Sequence, residues 1–373
     1  MHKLLFYIDT TLSSGGAEKV LRTLVNHMDP SRFDITVLTA WPEDAGKYLA
    51  PHIHHHSLYP ARSRFWRTIA RIEAALGLTY RLRMAGDYDL EIAYLEFGPT
   101  KVLSSSTNRK AKKAAWVHCK LDKATDDPDS LRRKCAAWYS RFDKVVCVSQ
   151  DVRSSFVSLF GKADDAIVLH NVVDNGDICA KAAEPLPDSL HKRRCTILTV
   201  GRMYPEKGYD RLLRVHRHLL EEGLEHDLWI LGDGPGRAEL EAYCAAHHLE
   251  GSVYMPGFLP NPYPAFREAD IIVCSSLYEG FSTVITEAMI LGKSVVTTDC
   301  SGMAELLGDN EYGIITENSE AGLYEGLKQM LSSEELRIRY CTAAARRGQD
   351  FQLDALIRNN EDFFTELLEG TPE

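Results

Sequence analysis

The feature that most constrains this chain is an alternation of short apolar runs with longer helical stretches, carried through twice in series. Strand-like runs occupy 3–9, 34–40, 90–95, 113–119, 144–149 and 165–171. After Pro185 and Pro187 the pattern restarts at Thr196-Ile197-Leu198-Thr199-Val200 and recurs at 228–231, 252–255, 270–274 and 294–298. Such an order predicts parallel strands joined by crossover helices. Segment 175–192 reads as a linker, so the expected domains are 1–180 and 190–350. From about Ala321 the pattern is helical, with Leu323, Leu327 and Leu331 at i, i+4 and i+8, then Leu356, Phe363, Phe364 and Leu367. Residues 351–373 form a final helix long enough to reach back to the first domain. No short-period repeat suggests a solenoid.

The 373 residues exceed what one hydrophobic core usually holds, and 45% hydrophobic with 26% charged residues is an ordinary globular balance. The net charge of −10 is unevenly spread. Residues 1–175 carry 25 Lys+Arg against 20 Asp+Glu, and the remainder carries 18 against 33. A basic half joined to an acidic one points to an anionic surface or acceptor meeting the first half. The apolar run after Met1-His2-Lys3 is too short for a signal sequence, and no stretch is long enough to cross a bilayer. Nine cysteines lack C-x-x-C spacing, and Cys147 and Cys274 fall inside strand-like runs, as reduced core thiols would. A soluble, cytosol-facing protein is expected, with any membrane contact peripheral.

Three motifs carry chemistry. Gly15-Gly16-Ala17-Glu18-Lys19-Val20 follows the first strand through a Thr-Thr-Leu-Ser-Ser loop and opens a helix, where free amides and the helix dipole favour a phosphate. Glycine after a first strand also serves simple tight packing. Val200-Gly201-Arg202 ends the first strand of the second half, with Glu206-Lys207-Gly208 close behind. A guanidinium and an ammonium at a strand's C-terminal edge would neutralise a diphosphate, where open α/β sheets bind ligands. The plain alternative is a surface ion pair with Glu206. Third, Glu279-Gly280-Phe281-Ser282-Thr283 follows the strand Ile271-Ile272-Val273-Cys274, and Glu287 stands eight residues beyond Glu279. If Ser282 or Thr283 caps a helix, both carboxylates can face one crevice.

In this order, and with Gly232-Asp233-Gly234-Pro235 between them, the motifs resemble the family 4 (group 1) retaining glycosyltransferases of the GT-B fold, over nearly the whole chain. The spacing of Glu279 and Glu287 matches that family's E-x7-E pattern. The resemblance implies two Rossmann-like α/β domains facing across a cleft, the first binding the acceptor and the second the nucleotide-sugar, with the C-terminal helix crossing back to the first domain. It implies that Gly15, Gly16 and their helix contact the donor phosphates and that Arg202 and Lys207 stabilise the leaving diphosphate. Glu287 would hold the ribose hydroxyls, and Glu279 would sit by the donor sugar. Gly201, Gly280, Phe281, Ser282 and Thr283 complete the donor site, and His118, in Ala115-Trp116-Val117-His118-Cys119, corresponds to the histidine beside the transferred sugar. The sequence departs from common members at Cys119 and at Ser282-Thr283.

The implied reaction is retaining transfer of a hexose, with a UDP-sugar as donor by the family's habit. It proceeds without a covalent enzyme intermediate, and the departing β-phosphate accepts the acceptor's proton. It asks the protein mainly for positioning and charge stabilisation. No cofactor and no metal are expected. The pairs Asp87/Asp89 and Asp127/Asp129 read as loop residues, and His52, His54, His55 and His56 alternate along a probable strand.

Residues 60–84 set Arg62, Arg64, Arg67, Arg71, Arg81 and Arg83 among Phe65, Trp66, Ile69, Ile72, Leu76 and Leu78. This basic amphipathic stretch, with Lys110, Lys112 and Lys113 nearby in sequence, suits an anionic membrane surface and hence a lipid-linked acceptor, such as a polyprenyl-diphosphate saccharide in cell-surface polysaccharide or glycolipid synthesis. A packing helix with a solvated arginine face is the plainer reading. Rival functions are a sugar-nucleotide epimerase of the same fold and a catalytically silent nucleotide-sugar-binding module. A Rossmann oxidoreductase lacks its G-x-G-x-x-G, and a nucleic-acid role lacks a reading motif.

Overall fold

The computed structural model describes residues 1–13, 15–84, 86–125 and 127–370. Ser14, in the loop after the first strand, and residues 371–373 of the tail therefore lie outside the described residues. The chain divides into two compact units, one made of Met1–Val173 with Asp354–Glu373 and the other of Asp174–Leu353.

The first unit holds a sheet of β1 (His2–Ile8), β2 (Phe33–Thr39), β3 (His54–Ser57), β4 (Leu90–Ala93), β5 (Lys112–Val117), β6 (Lys144–Cys147) and β7 (Ala166–Val168), in the order β3-β2-β1-β4-β5-β6-β7. Every pairing is parallel. Both faces are covered by helices, so the central strands are apolar throughout rather than alternating, as Leu4 to Ile8 show. The second unit holds β8 (Thr196–Val200), β9 (Asp227–Leu231), β10 (Val253–Gly257), β11 (Ile271–Cys274), β12 (Ser294–Thr298) and β13 (Ile314–Thr316), in the order β10-β9-β8-β11-β12-β13 and again all parallel. Leu212, Leu219, Ile230, Val273, Leu323 and Leu327 form part of its core.

Each strand order reverses once, between β1 and β4 in the first sheet and between β8 and β11 in the second. Beyond the carboxyl ends of the strands flanking such a reversal, the outgoing connections part and leave room for a ligand.

The last helix, Leu353–Glu369, belongs to the first unit. Its Phe364 meets Phe6, Phe33 and Trp116 at ring-centroid distances of 5.9, 6.3 and 5.9 Å, and Arg32 reaches Glu361 at 2.9 Å. The segment expected to be linker is partly helical: Asn175–Ala182 is a helix of the second unit, because the Asp174 carboxylate caps it by accepting from the Asp177 amide at 2.8 Å.

Candidate active site

In the second unit the site grows from the two loops at the strand reversal. The chain leaves β8 through Gly201, where a side chain would collide with the Tyr209 hydroxyl, its Cβ lying 2.7 Å from that oxygen. The Gly232-Asp233-Gly234-Pro235 turn braces the same loop. Gly232, at φ 131°, lies against the Gly201 carbonyl, where a Cβ would come within 2.0 Å of the oxygen. The Met203 amide donates to Asp233 O at 2.9 Å, and the Gly236 amide donates to Met203 O at 3.0 Å. This loop presents Arg202, exposed, with its guanidinium 5.2 Å from the centre of the Tyr204 ring.

The loop then closes a single turn, Pro205–Lys207, and enters the helix Tyr209–Glu221 through Gly208 in the left-handed region. Hydrogen bonds fasten it to the loop after β11. Ser275 Oγ donates to Lys207 O at 2.8 Å, the Leu277 amide donates to Glu206 O at 2.7 Å, and the Arg211 guanidinium donates to Ser275 O and Ser276 O. Lys207 is thereby delivered to Glu279, with Nζ 2.6 Å from Oε1, and the same oxygen accepts from Ser276 Oγ at 2.6 Å. Lys207 is thus paired with Glu279, not with Glu206. Burial, the largest single influence, lowers the Lys207 pKa, but the Glu279 charge, Cys274, the hydrogen bond to Glu279 and Tyr209 together outweigh it and raise the pKa, keeping the ammonium protonated. Lys207, Glu279, Cys274, Ser276 and Ser282 line one recess.

Ser282 caps the helix Thr283–Ile290, its Oγ accepting from the Ile285 amide at 3.4 Å. Phe281 is buried, 6.4 Å from the Phe351 ring. Gly280 leaves its carbonyl close under Gly302, where a Cβ would lie 2.6 Å from that oxygen. Glu287 is buried on this helix and accepts from the Tyr263 hydroxyl at 3.2 Å. Burial, with Glu287 next, pushes the Tyr263 phenol well above its ordinary pKa, so it remains a donor.

In the first unit, Gly15 precedes the helix Gly16–His27 with φ 105°, and a Cβ there would lie 2.0 Å from Glu18 Oε2. The Glu18 carboxylate thus lies over the helix start, accepting from Thr10 Oγ1 at 2.8 Å. Asp9, just past β1, packs against Gly98, whose hypothetical Cβ would lie 1.9 Å from its carboxylate. Burial lifts Asp9 to about 6, with Glu96 and Glu18 adding repulsion. Glu96 accepts from the His118 amide and the Cys119 thiol, both at 3.1 Å. The His118 ring stands 5.0 Å from Tyr94, burial lowers its pKa, and among the described residues its buried Nε2 has no hydrogen-bond partner.

The carboxylates Asp9, Glu18 and Glu96 escape the sequence reading as functional groups. The signal available was position, since Asp9 and Glu96 follow the ends of the two strands at the reversal. Other polar candidates have local partners: Asp89 accepts from the Lys3 amide, Asp127 caps the helix Pro128–Tyr139, His54 meets Asp34 at 3.3 Å and His55 meets Thr39 at 3.0 Å. Among the described residues no group of three or more His, Cys, Asp or Glu could hold a metal ion.

The basic stretch folds as two helices, Arg64–Ala75, capped by Ser63, and Thr79–Arg83, broken at Gly77. Along the first helix the buried residue is Glu73, held by Arg83 at 2.6 Å and by the Tyr59 hydroxyl at 2.9 Å. Phe65, Ile72, Leu76 and Leu82 are more than half exposed, among exposed Arg64, Arg67, Arg71 and Arg81. Among the described residues no helix is long and apolar enough to cross a membrane.

Two parallel sheets, each with polar groups gathered at its strand reversal, define a doubly wound α/β protein of the kind that binds ligands at such reversals. Residues 187–347 match the family Glycosyl transferases group 1, and residues 14–176 match Glycosyltransferase Family 4. The chain belongs to these group 1, family 4 glycosyltransferases, and its fold is GT-B. It is 34% identical over 196 residues to the N-acetylgalactosamine-N,N'-diacetylbacillosaminyl-diphospho-undecaprenol 4-alpha-N-acetylgalactosaminyltransferase of Campylobacter jejuni. That match takes in 52% of this chain and spans about half (51%) of the relative's length. The amylovoran biosynthesis glycosyltransferase AmsD of Erwinia amylovora is 25% identical over 368 residues, 97% of this chain and 99% of that one. Among solved structures, HepE of Anabaena in complex with UDP and glucose superposes with a TM-score of 0.75 at 19% identity, covering 98% of this chain and 100% of that one.

Proposed function

We propose that this glycosyltransferase moves a hexose from a UDP-sugar to a saccharide or polyprenyl-diphosphate-linked acceptor, with retention at the anomeric carbon and without a metal or other cofactor. The observation that carries this reading is the Lys207–Glu279 pair at the β8/β11 reversal, with Arg202 exposed on the loop after β8; cationic groups there would stabilise a departing diphosphate. In this reading Arg202 and Lys207 stabilise the leaving group, Glu279 contacts the donor sugar, Glu287 holds the ribose, and the Gly280–Thr283 backbone orients sugar and phosphate. Gly15, Gly16 and His118 serve the reaction from the first unit, which carries the acceptor. The acceptor hydroxyl attacks from the face the diphosphate leaves, and the β-phosphate takes its proton. The names of the Campylobacter relative, which include a diphospho-undecaprenol acceptor, and of the UDP-bound Anabaena neighbour support the choice of substrates.

The test is a thermal-shift and transfer screen against UDP-, GDP- and ADP-sugars with the metal-stripped protein, repeated on Arg202→Ala, with the anomeric configuration of the product read by NMR. A UDP-sugar shift lost in the variant is expected, because a ligand bound to the native state raises its stability. An inverted product, or transfer that needs added Mg²⁺ or Mn²⁺, would overturn the mechanism. Turnover of donor with no acceptor present would favour the epimerase.

The same reading places the protein peripherally on the cytoplasmic face of the cell membrane through residues 60–84. A helix that buries its one acid and turns Phe65, Ile72 and Leu76 outward among arginines matches an anionic bilayer surface in both polarity and charge. Flotation with vesicles of anionic and of zwitterionic lipid tests it. Preference for the anionic vesicles, lost in Phe65→Ser/Ile72→Ser, is expected, and equal binding to both would sink the proposal.

A further inference from the structure

A tyrosine is a poor choice for a position that packing alone would fill, because a buried hydroxyl must find a partner in place of water. Tyr263 opens the short helix Tyr263–Glu268, is 3% exposed and stands 6.0 Å from the Phe266 ring, where a phenylalanine would pack as well. Its hydroxyl donates to Glu287 Oε1 at 3.2 Å, across 24 positions of sequence. Glu287 is itself 5% exposed, in the second turn of the helix Thr283–Ile290. Burying a carboxylate costs heavily unless donors meet it.

The phenol is held by a different element from the one that carries Glu287. Asn261 Oδ1 accepts from the Tyr263 amide at 3.1 Å, and Asn261 Nδ2 donates to Lys181 O at 3.0 Å and to Glu184 Oε2 at 2.9 Å. The hydroxyl is thereby tied, through Asn261, to the helix Asn175–Ala182 and the residues just beyond it. It is an outside reference point for the carboxylate.

We propose that Tyr263 is a positioning residue for ribose recognition: its hydroxyl fixes the Glu287 carboxylate in the orientation that accepts from the hydroxyls of the donor's ribose. The last torsion of a glutamate is broad, so an unanchored carboxylate has to be ordered anew each time a nucleotide binds. A phenol that orders it beforehand removes that cost. One O–H orients the group without filling it, because a carboxylate offers about four lone-pair positions. The pair then selects ribonucleotide donors, since a 2′-deoxyribose offers one hydroxyl fewer to a buried acceptor. This selection rests on the reading of Glu287 as the ribose ligand. The Tyr263–Glu287 hydrogen bond does not.

The experiment is titration calorimetry of the full chain with UDP, GDP and ADP and with their 2′-deoxy counterparts, on the wild type, Tyr263→Phe, Glu287→Gln and Phe266→Leu. The wild type is expected to prefer its ribonucleotide by about tenfold or more. Tyr263→Phe should weaken the ribonucleotide by about five- to tenfold and the deoxynucleotide by less than about twofold, so the preference narrows. Phe266→Leu, which loosens the same packing without touching that hydrogen bond, should lower Tm and keep the preference. Should Tyr263→Phe fold poorly, Tyr263→Leu is judged by the same ratio. A preference unchanged in the Tyr263 variant, or narrowed as far by Phe266→Leu, overturns the proposal. Equal binding of both sugars by the wild type, or a preference kept in Glu287→Gln, instead overturns the ribose reading of Glu287, whatever Tyr263→Phe does.

Discussion

The two strand reversals share a topology and differ in charge. At β8/β11 a lysine is paired with a carboxylate, and an arginine stands exposed on the loop after β8. At β1/β4 the gathered groups are carboxylates, and burial, with Glu96 and Glu18 adding repulsion, lifts Asp9 among them to about 6. Under the proposed function the first receives the anionic leaving group, whereas the second differs from it in presenting carboxylates. Net charge misleads on this point, since the basic half of the sequence contains the acidic crevice and the acidic half the cationic one. Charge in the first unit is displaced to the outer helices, where Arg64, Arg67 and Arg71 face solvent.

The contrast can be broken most severely through stability. Phe364→Ala removes a fully buried ring that four aromatics of the first unit contact, and should cost about 3–5 kcal/mol there. Calorimetry should show the first unit's transition falling while the second holds its place; equal falls would mean that the units do not melt separately. Next comes Lys207→Ala, expected to lower kcat by about 10²–10³-fold, comparable to losing a main stabiliser of transition-state charge. A loss of tenfold or less in steady-state assays would remove Lys207 from the chemistry and weaken the contrast itself. Gly201→Ala sets a methyl 2.7 Å from the Tyr209 hydroxyl and should cost about 1–3 kcal/mol in the second unit, read from its urea midpoint.

The smallest effect has opposite signs in the two units. Burial lowers the pKa of His216 and of His226, which bond each other at 2.8 Å with Ser252, Leu224, Arg194 and Asp227 around them. Below the ordinary value of 6.5 the unfolded chain therefore binds more protons, and this pair's contribution to the second unit is lost as pH falls through that value. Asp9 is raised from 3.8 to about 6, so the folded first unit binds more protons between those values, and its stability gains as pH falls. Asp9→Asn should then stabilise the first unit more at pH 7 than at pH 4. Melts that show the same gain at both values would contradict the burial of that charge.

Much of this architecture is legible from pattern, because strands buried on both faces are apolar along their length. β13 escapes notice because three residues, Ile314–Thr316, make no readable run. The helix Asn175–Ala182 opens on Asn-Gly-Asp, which reads as a turn until the Asp174 cap is seen. At the site, Lys207 and Glu279 are visible as charged residues after strand ends, but their pairing across 72 positions is a product of the strand order. Glu73 illustrates the same limit. As the sole acid in a basic helix it resembles a solvated residue, and its burial follows from Tyr59 and Arg83, 14 and 10 positions away on either side.

The first unit is assembled from both ends of the chain, with the whole second unit inserted between Val173 and Asp354. During synthesis the second unit can complete its core as soon as its last residues emerge. The older first unit must wait with Phe6, Phe33 and Trp116 uncovered until the final helix leaves the ribosome. That interval leaves an apolar face of the first unit open until the seventeen-residue helix closes it.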